Sequence, residues 1–267
     1  MSISKHIILF ITQIFLCAVC FAQREKIDSL KKVLPSLHDS ARVDCLNELT
    51  GAYLKVNEPI RPIPYQNIIG DTAAYYANLA CGEAMQLHYV HGIAESLSYK
   101  GVMELFSDNF LGEEKISRDA IYWYRKTPNK KKLAETYYYL SHALYAESKF
   151  SEAIRNLDTA FDWHKKIGNT DGMYWTLLLA YWVYDESGNY EKGFEVAMKT
   201  LDIAIKNKND LEKKLVLGAI GSLFMSIEDY KSALEYYRQL SMSKLDLVEL
   251  FTLMHQYDSA KYYFWFA

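Results

Sequence analysis

Glycine and proline are scarce in this chain, with 12 Gly and 5 Pro in 267 residues, and three of the prolines (Pro59, Pro62, Pro64) fall in one short window. Long stretches are therefore free of helix breakers. Cationic excess is missing too: a net charge of -3 and a pI near 6.2 provide no broad positive field, which argues against nucleic acid or an anionic membrane surface as partner. No apolar run approaches the ~20 residues that span a bilayer. No phosphate-cradling glycine loop, HExxH or GxSxG occurs either, so the sequence points to no catalytic residue and to no cofactor or metal site, and the chain is not expected to be an enzyme.

What is present begins with an address label. MSISKHIILFITQIFLCAVCFAQ has a cationic start at Lys5 and His6, a 14-residue apolar run from residue 7 to 20 broken by Thr12 and Gln13, and a small-residue exit at Ala22. Residues 1–22 read as a signal peptide cleaved after Ala22; the alternative, an uncleaved anchor, would rest on a run too short to span. Bulky Leu16 and Val19 precede Cys17 and Cys20, which disfavours a lipid-attachment site. The CxxC spacing of Cys17 and Cys20 leaves with the signal, and the mature chain keeps Cys45 and Cys81, either bridged or as two buried apolar groups. The expectation is an exported protein, periplasmic or associated with the cell envelope, without a stable membrane span after cleavage.

Beyond the label the chain echoes itself at a step of 40 residues. Ala73, Glu113, Ala153, Gly193 and Ala233 occupy one register position, and Ala80, Ala120, Ala160, Thr200 and Leu240 the position seven residues on. Each small residue follows a turn carrying an aromatic: SKFSEA at 148–153, GNYEKG at 188–193, EDYKSA at 228–233 and HQYDSA at 255–260. Upstream lies a second pattern of large, large, small, large, as in Leu46-Leu49-Thr50-Tyr53, Tyr137-Leu140-Ser141-Leu144 and Leu217-Ile220-Gly221-Phe224. That spacing is one face of an α-helix. Small residues on both helices allow a close antiparallel approach, and stacked neighbours bury what one hairpin leaves exposed.

At these residues the chain resembles the tetratricopeptide repeat (TPR) family, and its joins HKKIGNTDGMYWTLL at 164–178 and LHYVHGIAESLSYKGV at 87–102 resemble those of the exported TPR arrays of Bacteroidetes-type sensor kinases and regulators. The resemblance covers residues 40–267, with 23–39 as a leading helix that caps the array. It implies an all-α, right-handed α-solenoid of about five helical hairpins and a partial sixth. The chain departs from the family in its period of 40 rather than ~34, in the missing proline near each unit's end, and in Lys100 and Glu113 at core positions of the second unit.

The resemblance also implies a function: a non-enzymatic module mediating protein–protein or peptide interaction through the concave face lined by the first helix of each hairpin. Carried over by position, the groove residues are Tyr138, His142 and Tyr145, then Tyr181, Tyr184 and Asp185, then Ser222 and Met225. Aromatic side chains there suit an extended peptide, a helix or a glycan-like ligand. Simple packing of the tyrosines between units is the other reading. The family also suggests a second function, a sensory input module or shortened relative of a TPR-containing histidine kinase or transcriptional regulator.

Other features carry less. His88 and His91 have metal-compatible spacing without a third ligand, and Asp158, Asp162 and His164 read as ordinary helix decoration. The cations at 125–126 and 130–132 flank Pro128 at a repeat join, where solvation or an acidic partner would use them. The proline-bearing insertion at 57–71 and the aromatic end KYYFWFA stand out, the latter as a candidate surface for self-association.

Overall fold

The computed structural model describes residues 24–55, 68–240 and Thr252, and their ordered elements are all helical. Helix α1 covers 24–33 and passes through a single 3-10 turn, Leu34–Ser36, with Pro35 in it. There follow α2 (Asp39–Lys55), α3 (Ile68–Gln86), α4 (Val90–Phe106), α5 (Phe110–Tyr124), α6 (Lys130–Ala146), α7 (Phe150–Lys166), α8 (Thr170–Glu186), α9 (Tyr190–Lys206), α10 (Asp210–Ser226) and α11 (Tyr230–Tyr237). The segment expected to be a signal peptide, the insertion as far as residue 67 and the aromatic C-terminal end lie outside the described residues.

The step of 40 has a simple origin. Helices α7, α8, α9 and α10 each run 17 residues and are joined by three-residue turns, so one helix with its turn takes 20 residues and a hairpin takes 40. The turns repeat in chemistry as well as length. Residues 88, 108, 148, 168, 188, 208 and 228 all have positive φ, between 51° and 74°. Only two of the seven are glycine, and the left-handed residue at each helix end lets the next N–H turn back onto the helix. Thus Asn109 N–H bonds the Glu104 carbonyl at 3.0 Å, Asn169 that of His164 at 2.9 Å and Asn189 that of Tyr184 at 2.8 Å.

The same asparagines then open the next helix. The side-chain oxygens of Asn109, Asn129, Asn169, Asn189 and Asn209, and of Asp229, accept the backbone N–H three residues on, at 3.1 to 3.4 Å. Such caps satisfy donors that a helix start otherwise leaves unpaired. Three joins deviate. Neither Tyr89 nor Lys149 makes a side-chain cap. At Pro128 the fixed φ forbids the left-handed turn, and α5 stops at Tyr124 with Thr127 Oγ1 donating to the Tyr124 carbonyl at 2.9 Å.

The chain forms two compact units, Met1–Ala143 and Leu144–Ala267, and the division falls inside α6. In the first, α2 packs on α3, α3 on α4, α4 on α5, and α2 also touches α4. Ile27 of α1 joins Cys45, Leu49 and Ala52 in a core that Leu30, Leu34, Tyr53 and Tyr76 extend, while Val33 faces solvent. Arg42 anchors this end, bonding both Glu83 oxygens at 3.0 and 3.1 Å and the Leu34 carbonyl at 3.2 Å. Cys45 and Cys81 are both free, buried thiols. In the second unit α7 packs on α8, α8 on α9, α9 on α10 and α10 on α11. Its core holds Tyr174, Leu178, Tyr181, Ala197, Val216, Ile220 and Leu223, with Phe194 and Phe224 edge to face at 4.9 Å.

The small positions read from the sequence are close-packed: Ala73, Ala80, Ala120, Ala153, Ala160, Thr200 and Ala233 are fully buried. Volume is traded across each hairpin. Gly221 of α10 lies against the Tyr237 ring of α11, whereas in the preceding hairpin the bulky partner is Tyr181 of α8 and the small one Ala197 of α9. Of the two irregular core residues expected in the second hairpin, Glu113 is fully buried but Lys100 is half-exposed, and Gly101 occupies the core position beside it.

Candidate functional site

Five equal helices make register explicit. Helices α2, α4, α6, α8 and α10 are the first helices of their hairpins and are each 17 residues long, so residues can be compared by place in the helix. The twelfth place is the small core position: Thr50, Gly101, Ser141, Tyr181, Gly221. On α8 and α10 the second, sixth and thirteenth places lie on the open side of the helix. Trp175 and Trp182 are 44% and 43% exposed, Leu215 46% and Leu211 69%, and Asp171 is exposed beside them. Isolated apolar side chains on a surface are ordinary; here four large ones lie on the open sides of α8 and α10, and the sixth place is apolar in both.

This register corrects two of the expected groove residues. The counterparts of Tyr138, His142 and Tyr145 in α8 are Leu178, Trp182 and Asp185, not Tyr181 and Tyr184. Tyr181 is 2% exposed and its hydroxyl donates to the Ala219 carbonyl at 3.0 Å, so it packs between helices. Tyr184 turns to roughly the opposite side of α8 from Trp182, two residues and about 200° away at 100° per residue. There it lines a cleft of about 280 Å³ between α7 and α9, with Asp158, Phe161, Lys192, Glu195 and Lys199. The slip arose because Tyr181 fills the place where a small residue marks the register.

Tyr138 and His142 are half-buried, Tyr138 edge to face with Tyr139 at 5.6 Å. The His142 ring lies 6.1 Å from Phe110, and its Nδ1 is 3.8 Å from a Glu113 oxygen. Burial raises the Glu113 carboxyl above its ordinary range, and the imidazole only partly opposes this. Tyr145 donates to Glu186 at 2.8 Å; desolvation first, then that carboxylate, hold its phenol well above the usual value. Asp185, raised by burial, accepts from Ser226 at 3.5 Å. Ser222 donates to the Gly218 carbonyl at 3.1 Å with the Tyr237 hydroxyl 3.2 Å away, and Met225 is half-buried.

The first unit presents different chemistry at the sixth place: Asp44 in α2, Glu95 in α4 and Glu135 in α6. Asp44 accepts from the Tyr89 hydroxyl at 3.2 Å, and burial followed by that carboxylate pushes the Tyr89 phenol up to about 12. Burial raises Glu95, with His91 and Lys132 partly offsetting it. The sequence reading missed this acidic row, since its sign lies in a surface position that the packing pattern does not mark.

No family model matches the chain, and no curated protein matches it. Solved structures do. The chain is similar to a Signal Transduction ATPase with Numerous Domains carrying a tetratricopeptide repeat sensor from Pyrococcus horikoshii (TM-score 0.68, 12% identity), covering 89% of this chain but only 38% of that one. It is similar to Podosopora anserina putative kinesin light chain nearly identical TPR-like repeats (TM-score 0.61, 12% identity, 76% of this chain and 94% of that one). A third is the Rap conjugation gene regulator of the plasmid pLS20 in complex with the Phr* peptide (TM-score 0.55, 13% identity, 91% and 72%). The chain has the tetratricopeptide-repeat fold.

In TPR terms, the remaining motifs are part of the scaffold. His164 is buried and its Nδ1 lies 3.0 Å from Asn169 Nδ2, holding a cap residue in place. His88 takes a positive-φ turn position, and His91 sits 3.7 Å from Glu95. Arg125 bonds the Tyr137 hydroxyl at 2.6 Å, Lys130 the Thr127 carbonyl at 2.8 Å, and Lys126 lies over the rings of Tyr122 and Trp123. Among the described residues no group of three or more His, Cys, Asp or Glu is arranged to hold a metal ion. No described helix is long and apolar enough to cross a membrane.

Proposed function

We propose that this chain is a non-catalytic binding protein that holds a protein or peptide partner on the open faces of its first helices. The observation that carries the reading is the set of large exposed apolar side chains, Trp175, Trp182, Leu211 and Leu215, on the open sides of α8 and α10, with Trp175 and Leu215 at the same place. Tryptophan offers large contact area at low entropy cost and is the side chain most enriched where binding energy concentrates. A Rap protein with the same fold binds a peptide, which supports the partner class. On the second unit the surface so defined retains Tyr145, Asp185, Ser222 and Met225 and gains Trp182, while Tyr181 belongs to the core and Tyr184 to the α7–α9 cleft.

The test is retention of a random octapeptide pool on the immobilised full chain. W175A/W182A/L215A should lose most retained peptide with an unchanged helical circular dichroism spectrum; undiminished retention would contradict the reading. Export to the periplasm or envelope belongs to the same proposal and is supported by the cationic start, apolar run and Ala22 exit. N-terminal sequencing of the protein from its own cells should begin at Gln23. Signalling as a sensory module is the second reading, favoured by the TPR sensor of the Pyrococcus horikoshii protein, of which this chain would span 38%.

A further inference from the structure

The cleft of about 280 Å³ in the second unit opens between two second helices, α7 and α9, on the Tyr184 side of α8 and away from Trp182. Its size is at the lower edge of what holds a small molecule. The floor is apolar: Leu157 and Phe161 come from α7, Leu177 and Ala180 from α8, and Val196 from α9. Leu157, Leu177 and Ala180 are buried, so the core packing beneath fixes the shape of the floor.

The rim carries four charged side chains, and they are not used alike. Glu195 and Lys199, one turn apart on α9, hold each other at 2.6 Å. Asp158 on α7 and Lys192 on α9 face the cleft from opposite walls. Among the described residues, neither of these two side chains has a hydrogen-bond or ion-pair partner. Lys192 Nζ lies over the Tyr184 ring, 5.8 Å from its centre. Desolvation first, then Asp162, raises the Asp158 carboxyl, and Lys192 only partly opposes them. Tyr184 stands at the same end, its phenol raised by burial and then by Asp158 and Glu195.

An anion would match Lys192 and be opposed by Asp158, a cation the reverse, and an uncharged molecule would leave both charges unanswered in a partly dry cleft. A zwitterion answers both. From this charged end the floor continues along one stripe of α8, from Tyr184 back through Ala180 to Leu177. Those seven residues span about 10 Å of helix, room for a charged head followed by one large apolar side chain.

We infer that the α7–α9 cleft binds a free α-amino acid with a branched or aromatic side chain, its ammonium on Asp158 and its carboxylate on Lys192. A peptide carries these two charges at opposite ends of its chain, whereas a free amino acid carries both on the carbon that bears the side chain. The Glu195–Lys199 pair lies further along α9 and adds no net charge. The site is separate from the first-helix faces, and its occupancy does not depend on a partner bound there.

Ligand-observed NMR titrations of the full chain with L-leucine and L-phenylalanine test the inference, alongside three probes that each lack one feature. N-acetyl-L-leucine lacks the ammonium, L-leucinamide the carboxylate and glycine the side chain. Each should bind about tenfold or more weakly than leucine, as for one charged hydrogen bond or one buried side chain lost. Asp158→Asn should weaken leucine by a similar factor and remove the penalty for N-acetylation while keeping that for amidation; Lys192→Met should do the reverse. Both positions are exposed, so neither change disturbs the core. W175A/W182A/L215A should bind leucine as the parent chain does. No saturable binding of either amino acid, equal binding of N-acetyl-leucine, leucinamide or glycine, or leucine affinity unchanged in both single variants would overturn the inference. Loss of leucine binding in the triple variant would place the ligand elsewhere and overturn it too, whereas loss of peptide retention in that variant bears only on the proposed function.

Discussion

The sixth place of the first helices reads Asp44, Glu95 and Glu135 in one unit and Trp175 and Leu215 in the other. The helices are equal in length and the sixth place is the same point on each, so the difference there is one of surface chemistry. What the fold constrains is the set of buried places, where size must be matched between neighbours, as with Tyr181 and Ala197 or Gly221 and Tyr237. The open places are free to diverge, and a repeat protein can therefore carry two kinds of contact on one scaffold.

The largest effect should come from two adjacent residues on α8. Tyr174 is fully buried and donates to the Glu212 carbonyl at 3.0 Å, so Tyr174→Ala should cost about 3–5 kcal/mol in urea unfolding. Trp175→Ala, one residue on and half in solvent, should change stability by about 0.5 kcal/mol or less while reducing peptide retention. If both variants lost stability alike, Trp175 would be part of the core and the contrast would fail.

Caps come next in size. Asn209 accepts from the N–H groups of both Leu211 and Glu212 at 3.2 Å, and Asn209→Ala should cost about 1 kcal/mol. Lys149 stands where the other joins of the second unit have Asn or Asp and makes no side-chain cap; Lys149→Asn should raise the unfolding midpoint by an amount equivalent to about 0.5–1 kcal/mol. Equal and opposite shifts in thermal melts would confirm that both joins follow one rule.

A smaller, pH-dependent effect sharpens the comparison at the opening of the second helices. Glu113 stands where the other unit has Ala153, Gly193 and Ala233. Its carboxyl is raised by burial in the folded state, so the native protein holds a proton that the unfolded chain gives up more readily. The penalty is full at pH above the raised folded value and is relieved as pH falls toward 4.5, the ordinary value. Glu113→Gln should therefore stabilise the protein at neutral pH and flatten this rise, read as urea midpoints from pH 7 to 4.5; an unchanged slope would mean that His142 already neutralises the charge.

The fold was legible because packing leaves period and size in the sequence: Ala73, Ala153 and Ala233 mark the same buried place 80 residues apart. The candidate site was legible only in part. At α8 the landmark small residue is a tyrosine, compensated from α9 by Ala197, and that displaced the reading by one residue. The caps every 20 residues hold the register that would have prevented it, since Asn169 places the start of α8 at Thr170. Asp44 was hidden by the insertion after α2, which sets it 51 residues before Glu95 instead of 40.

The central claim is that partners bind on the first-helix faces. It is tested most directly by placing a photo-crosslinking residue at position 175 or 215 on α8 and α10, and at position 198 or 205 on the exposed side of α9, then irradiating the full chain with the peptide pool. Adducts at 175 and 215 with little at 198 and 205 are the predicted result. Adducts confined to 198 and 205, or equal at all four positions, would contradict it.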